Sequence, residues 1–125
     1  MDSNRREYLS EVKQDVKDFI AANKVLIHYI RKEDKWGTET DEKVGVVVAF
    51  LGKDTKLMMG WSRCNTKAGD KFNRAMALYK ALTRAWPVLD DGYDAYDPVP
   101  WSMAYEFDEL YRRSCRYFKQ LEVPA

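Results

Sequence analysis

Basic and amide side chains gather in one stretch of this sequence. The run Gly60-Trp-Ser-Arg-Cys-Asn-Thr-Lys-Ala-Gly-Asp-Lys-Phe-Asn-Arg74 carries Arg63, Asn65, Lys67, Lys71, Asn73 and Arg74, where an apolar segment passes through a polar loop into a helical pattern. Cations in a loop ahead of a helix N-terminus are equipped to hold an anion, because the first N–H groups of the helix have no intrahelical acceptors. A second set lies further along the chain. Arg112, Arg116 and Lys119 stand at i, i+4 and i+7, with Arg113 beside them. A guanidinium grips phosphate through two parallel hydrogen bonds, so Arg112 and Arg116, one helical turn apart, suit a pyrophosphate or two neighbouring phosphates. Asn65 and Asn73 could read base edges or ribose hydroxyls, and Trp86, Tyr93, Tyr96 or Trp101 could stack on a base. The competing reading is that these arginines only solubilise the last helix or pair with Glu109 and neighbouring acids.

Catalytic patterns find less support. The single histidine, His28, sits in a β-like apolar stretch and reads as a packed residue, since a general base needs a positioned partner. Cys64 and Cys115 are far apart, outside any CxxC or Cys/His cluster, and are expected to be reduced thiols. Asp90, Asp91, Asp94 and Asp97 offer hard oxygens, but their spacing misses the calcium-loop pattern, and a solvated acidic loop is the better reading. The six glycines form no P-loop and no GxGxxG. The expectation is a protein that binds without catalysing, with no cofactor and no metal.

Composition narrows the partner. A chain of 125 residues, 46% hydrophobic, supports one ordinary core, so residues 1–125 read as a single domain. The net charge of +1 conceals blocks. Residues 56–86 carry seven Lys/Arg against one acid, and residues 87–110 carry seven acids with no Lys or Arg. This alternation argues against double-stranded nucleic acid and favours a local anion site or complementary self-association. No apolar run approaches membrane-spanning length and no signal-peptide pattern appears, so the expected location is the cytoplasm, with no membrane partner.

The elements that must position these residues follow from periodicity. From about Asn4 to Ala22, Tyr8, Leu9, Val12, Val16, Phe19 and Ile20 share one helical face. Strands are expected over Lys24–Arg31, Val44–Leu51 and Lys56–Cys64, the second nearly all apolar, as a central strand covered on both faces would be. The charged connection from Lys32 to Lys43 reads as exposed, with Trp36 as an anchor or a short fourth strand as options. A second helix is expected after Asp70 as N-cap, ending at Trp86 before Pro87. A polar connection, Pro87 to Pro100, leads to a last helix over Trp101–Lys119 that buries Met103, Phe107, Leu110, Ser114, Tyr117 and Phe118, with Arg112, Arg116 and Lys119 on its opposite face. The fold class is α+β: an N-terminal helix, a small antiparallel meander sheet of three to four strands, and two C-terminal helices packed on it.

The run Val44-Gly-Val-Val-Val, then Gly60-Trp-Ser-Arg-Cys-Asn, Lys71-Phe-Asn-Arg, the helix end Leu82-Thr-Arg-Ala and finally Arg112-x-x-x-Arg116-Tyr-Phe resembles the phage-encoded Thoeris anti-defence type 1 proteins over residues 44–118. Members of that family are sponges that sequester cyclic ADP-ribose-type immune signals without cleaving them. They assemble as dimers or larger oligomers, and some also hold cyclic oligonucleotides at a separate intersubunit site. The resemblance implies a cyclic nucleotide signal as partner, a homo-oligomer, the cytoplasm of an infected bacterial host, and ligand contacts from Arg112 and Arg116 together with the polar loop from Arg63 through Asn73. The helix over residues 4–22 departs from the family pattern, which begins closer to its sheet. Two other classes stay open. One is a phage inhibitor that blocks a host or CRISPR defence component by protein–protein contact. The other is a single-stranded nucleic-acid binder, against which the acidic block counts.

Overall fold

In a computed structural model, residues 2–52, 56–64, 69, 71–88 and 99–121 are described. Helix α1 (Asp2–Ala22) leads into strands β1 (Val25–Glu33), β2 (Glu39–Leu51) and β3 (Leu57–Arg63). Helix α2 (Arg74–Thr83), strand β4 (Trp86–Pro87) and helix α3 (Ala104–Leu121), entered through a 3-10 turn at Trp101–Met103, complete the order. The sheet is antiparallel with order β1-β2-β3-β4. This is the α+β architecture read from the periodicity.

Strand β2 decides the layering. Its run Val46-Val-Val-Ala-Phe50 is rich in β-branched residues, and its alternating side chains go to opposite faces of the sheet. Val47 and Ala49 join Leu57, Met59, Met103, Phe107, Leu110 and Phe118 under α3, whereas Val46 and Val48 join Val12, Val16, Ala77, Leu78 and Ala81 under α1 and α2. The sheet is therefore the middle of three layers, which explains why β2 is apolar on both parities from Val44 onward, whereas its charged start, Glu39 to Lys43, projects beyond the helices. Helix α1 docks through Val12 and Val16, and Phe19 meets Phe50 edge-on at 5.1 Å.

Several local expectations are corrected. The Lys32–Lys43 connection is mostly strand: β1 and β2 run on to a tight tip at Asp34–Thr38, where the Asp34 carboxylate accepts from the N–H groups of Trp36 and Thr38 at 2.8 and 2.9 Å and Gly37 takes φ 78°. Trp36 anchors nothing; it is 79% exposed. The fourth strand forms instead at Trp86–Pro87, pairing with Met58 and Met59.

Helix α2 is shorter at both ends than its apolar pattern predicts. Its N-cap is Asn73, extended at φ −120° and ψ 114°, whose side chain accepts from the Met76 N–H at 3.0 Å; Asp70 lies outside the described residues. The helix ends at Thr83, with the Arg84 N–H donating to the Lys80 carbonyl at 3.0 Å. Trp86 leaves the helix because sheet pairing and a stack on Phe107 offer it more contact than another exposed turn would. In α3 the expected stripe is buried except for Tyr117, which is 36% exposed while Phe118 takes the inward place.

Candidate anion site between β1 and α3

On β1, the parity that sends Val25, Ile27 and Tyr29 toward α1 and α2 sends Leu26, His28 and Ile30 toward α3. His28 is thus half-buried beneath the last helix. On α3, the buried row Met103, Phe107, Leu110, Ser114, Phe118 fixes the rotation of the helix. With a 100° step per residue, Arg113 then falls about 100° from the centre of that row, and Glu109, Arg112 and Arg116 fall about 140–160° from it, on the exposed side of the helix. The arginines were expected on the face opposite the core. Arg112 and Arg116 do stand there, and with Arg113 they form a wall whose long side chains, together with His28, Glu109 and Leu110, line a concavity of about 340 Å³ bordering β1.

The electrostatics of this concavity are basic but not uniform. Arg112 donates from Nε to Asp108 Oδ2 at 2.9 Å, an i, i+4 pair on the exposed side of the helix. This pair, with an acid beside Glu109, is the neutralising contact anticipated for the row. Glu109 accepts from the Tyr105 hydroxyl at 3.0 Å, and that bond, followed by the Glu109 charge, pushes the Tyr105 phenol above its ordinary pKa. Arg113 and Arg116 are exposed, and among the described residues neither has a carboxylate partner. Their guanidinium groups, with the hydrogen-bonding ring of His28 at the floor, suit an anion with two separated charged oxygens.

The other residues singled out for binding are distributed around the fold. Arg63, at the end of β3, hydrogen-bonds through Nη1 to the Ser102 hydroxyl at the entrance of α3. It lies on the same side of the sheet as Arg112 but roughly 15 Å away along the helix axis. Asn73 is occupied in capping α2 on the opposite side of the sheet. Lys71 is exposed near the β1–β2 hairpin, in a shallow depression shared with Lys32, Asp41, Glu42 and Lys43. Asn65 and Lys67 lie outside the described residues, as do Tyr93, Tyr96 and the four aspartates from Asp90 to Asp97. Within one chain, the structure brings Arg112 and Arg116 together and leaves Arg63, Lys71 and Asn73 apart from them.

His28 is the site residue that the sequence reading passed over. Strand parity was the available signal, because Leu26 and Ile30 mark the face that His28 shares. Cys64 and Cys115 are free, half-buried thiols packed against the core under α3. Among the described residues no cluster of metal-ligating side chains forms, and no helix is long and apolar enough to cross a membrane. No family model, curated protein or solved structure matches the chain.

Proposed function

We propose that this protein is a non-enzymatic binder of a small phosphate-bearing ligand, held in the concavity between β1 and α3. The observation that carries this reading is the convergence of Arg112, Arg113 and Arg116 with His28 on one hollow of about 340 Å³, a size within the range of small-molecule sites. Arg113 and Arg116 supply bidentate donors to phosphate oxygens, and His28 supplies a further hydrogen bond. Taken with the resemblance of residues 44–118 to the Thoeris anti-defence type 1 proteins, the ligand is a cyclic nucleotide immune signal, a cyclic ADP-ribose isomer or a cyclic oligonucleotide. The protein sequesters it uncleaved inside an infected bacterial cell.

Slow release favours an enclosed site, and association of two or more copies is the simplest way to enclose this one. Strand β1 borders the hollow and is an edge of the sheet, so it offers unpaired backbone groups to a second copy.

The test is thermal stabilisation of the purified protein by cyclic ADP-ribose isomers and cyclic di- and trinucleotides, with the ligand recovered by heating. A large shift with intact ligand released supports a sponge. No shift with any of them sinks this reading. It would move the weight to protein–protein blocking, for which the exposed Trp36 at the hairpin tip is the natural anchor, since tryptophans dominate binding energy at interfaces.

A further inference from the structure

We propose a second, independent binding site on the other side of the sheet, in the groove between α1 and the start of α2. Its ligand is a small amphiphile with a hydrocarbon body and one anionic head, of the class of medium-chain carboxylates and aryl sulfonates. The groove encloses about 540 Å³, within the range of small-molecule clefts.

Its rim is cationic. Lys13 and Lys17, one turn apart on α1, face Arg74 at the first position of α2, and among the described residues no carboxylate shares the lining. All three cations are exposed. Arg74 is also oriented, because its Nε donates to the Tyr29 hydroxyl at 2.7 Å, which leaves the terminal nitrogens of the guanidinium for an anion. An anion placed among these three cations gains from each of them.

The floor is apolar. Val16 and Leu78 are buried there, and Ile20, Phe72 and Ala75 are half-buried. The one amide at the groove, Asn73, spends its side-chain oxygen on capping α2. A nucleobase would lose its in-plane hydrogen bonds on such a floor, at a cost that stacking on Phe72 alone does not offset. A hydrocarbon body loses nothing and gains from burial. The spacing of Lys13, Val16, Lys17 and Ile20 at i, i+3, i+4 and i+7 runs this lining along roughly 10 Å of α1, about the length of a medium acyl chain or a bicyclic aromatic.

The experiment is a fluorescence titration of the intact protein with anilinonaphthalene sulfonate, followed by displacement with decanoate. The expected result is saturable binding of one probe per chain, displaced by decanoate. It should weaken at least about tenfold in Lys13→Glu/Lys17→Glu, which reverses the rim charge, and in Ala75→Trp, which fills the floor. Binding should be unchanged in Arg112→Ala/Arg116→Ala, which separates this groove from the hollow under α3. Near-ultraviolet circular dichroism checks that each variant keeps its packing, and Ala75→Trp decides alone if charge reversal unseats α1. A signal that does not saturate, or an affinity within about twofold of wild type in the packed variants, overturns the proposal.

Discussion

Trp86 stacks on Phe107, with ring centroids 5.5 Å apart and planes 4° from parallel. Phe107 is fully buried in α3, and Trp86 belongs to the two-residue strand that closes the sheet beside β3. This one contact joins the shortest strand to the helix that carries the arginine wall. The backbone reinforces it, since the Val88 N–H donates to the Leu57 carbonyl at 2.9 Å. The seating of α3, and with it the hollow above His28, depends on a residue that helical periodicity alone would assign to the end of α2.

Replacing Trp86 with Ala should therefore destabilise the protein by about 3 kcal/mol, in line with large-to-small changes at packed aromatics. Urea denaturation followed by circular dichroism measures this. A loss below about 1 kcal/mol would show that the stack does not hold β4 in place.

Gly60 lies where α2 crosses β3. A Cβ there would collide with the Ala81 carbonyl oxygen and stand 3.0 Å from the Ala85 Cα, both backbone atoms that no rotamer change can move. Gly60→Ala should cost roughly 2 kcal/mol or more through overpacking, read as a lowered melting temperature. Wild-type stability in this variant would mean that α2 sits further from the sheet.

Ser114 presents the opposite case. Its hydroxyl is fully buried in α3 and has no hydrogen-bond partner among the described residues. Removing an unsatisfied buried hydroxyl relieves its desolvation penalty, so Ser114→Ala should raise stability by about 1 kcal/mol. A measured loss would reveal a partner for the hydroxyl in solution.

Arg112 and Arg116 are exposed and outside both core clusters. Replacing both with Ala removes the exposed Asp108 pair, which contributes less than about 1 kcal/mol, so the melting temperature should hardly change. The stabilisation by a phosphate-bearing ligand should disappear. A double variant that is still stabilised as strongly as wild type would remove the arginine wall from the site.

Much of this fold was legible in the sequence because its signals are local. Val12, Val16, Phe19 and Ile20 recur at helical spacing, the Val46–Val48 run is β-branched and apolar on both parities, and the row from Met103 to Phe118 marks one face of α3. Such patterns follow from 3.6-residue and two-residue periods that any stretch of chain carries within itself. The pairing of Arg112 with Arg116 is of the same kind, since one turn of helix fixes their distance.

What only the tertiary structure decided depends on contacts between segments distant in sequence. Asn73 caps α2, and Trp86 is drawn from the apolar pattern of that helix into the sheet by Met59 and Phe107. His28 shares a hollow with the arginines because the parity of β1, fixed by Leu26 and Ile30 in the core under α3, turns it toward that helix. Arg63 is parted from Lys71 and Asn73 because it reaches Ser102 on the α3 side of the sheet, while they lie at the start of α2 on the other face. Sequence by itself determined the elements and their apolar faces, since these are properties of each segment. Which charged side chains share a cavity was determined by how those faces pack, which is a property of the whole chain.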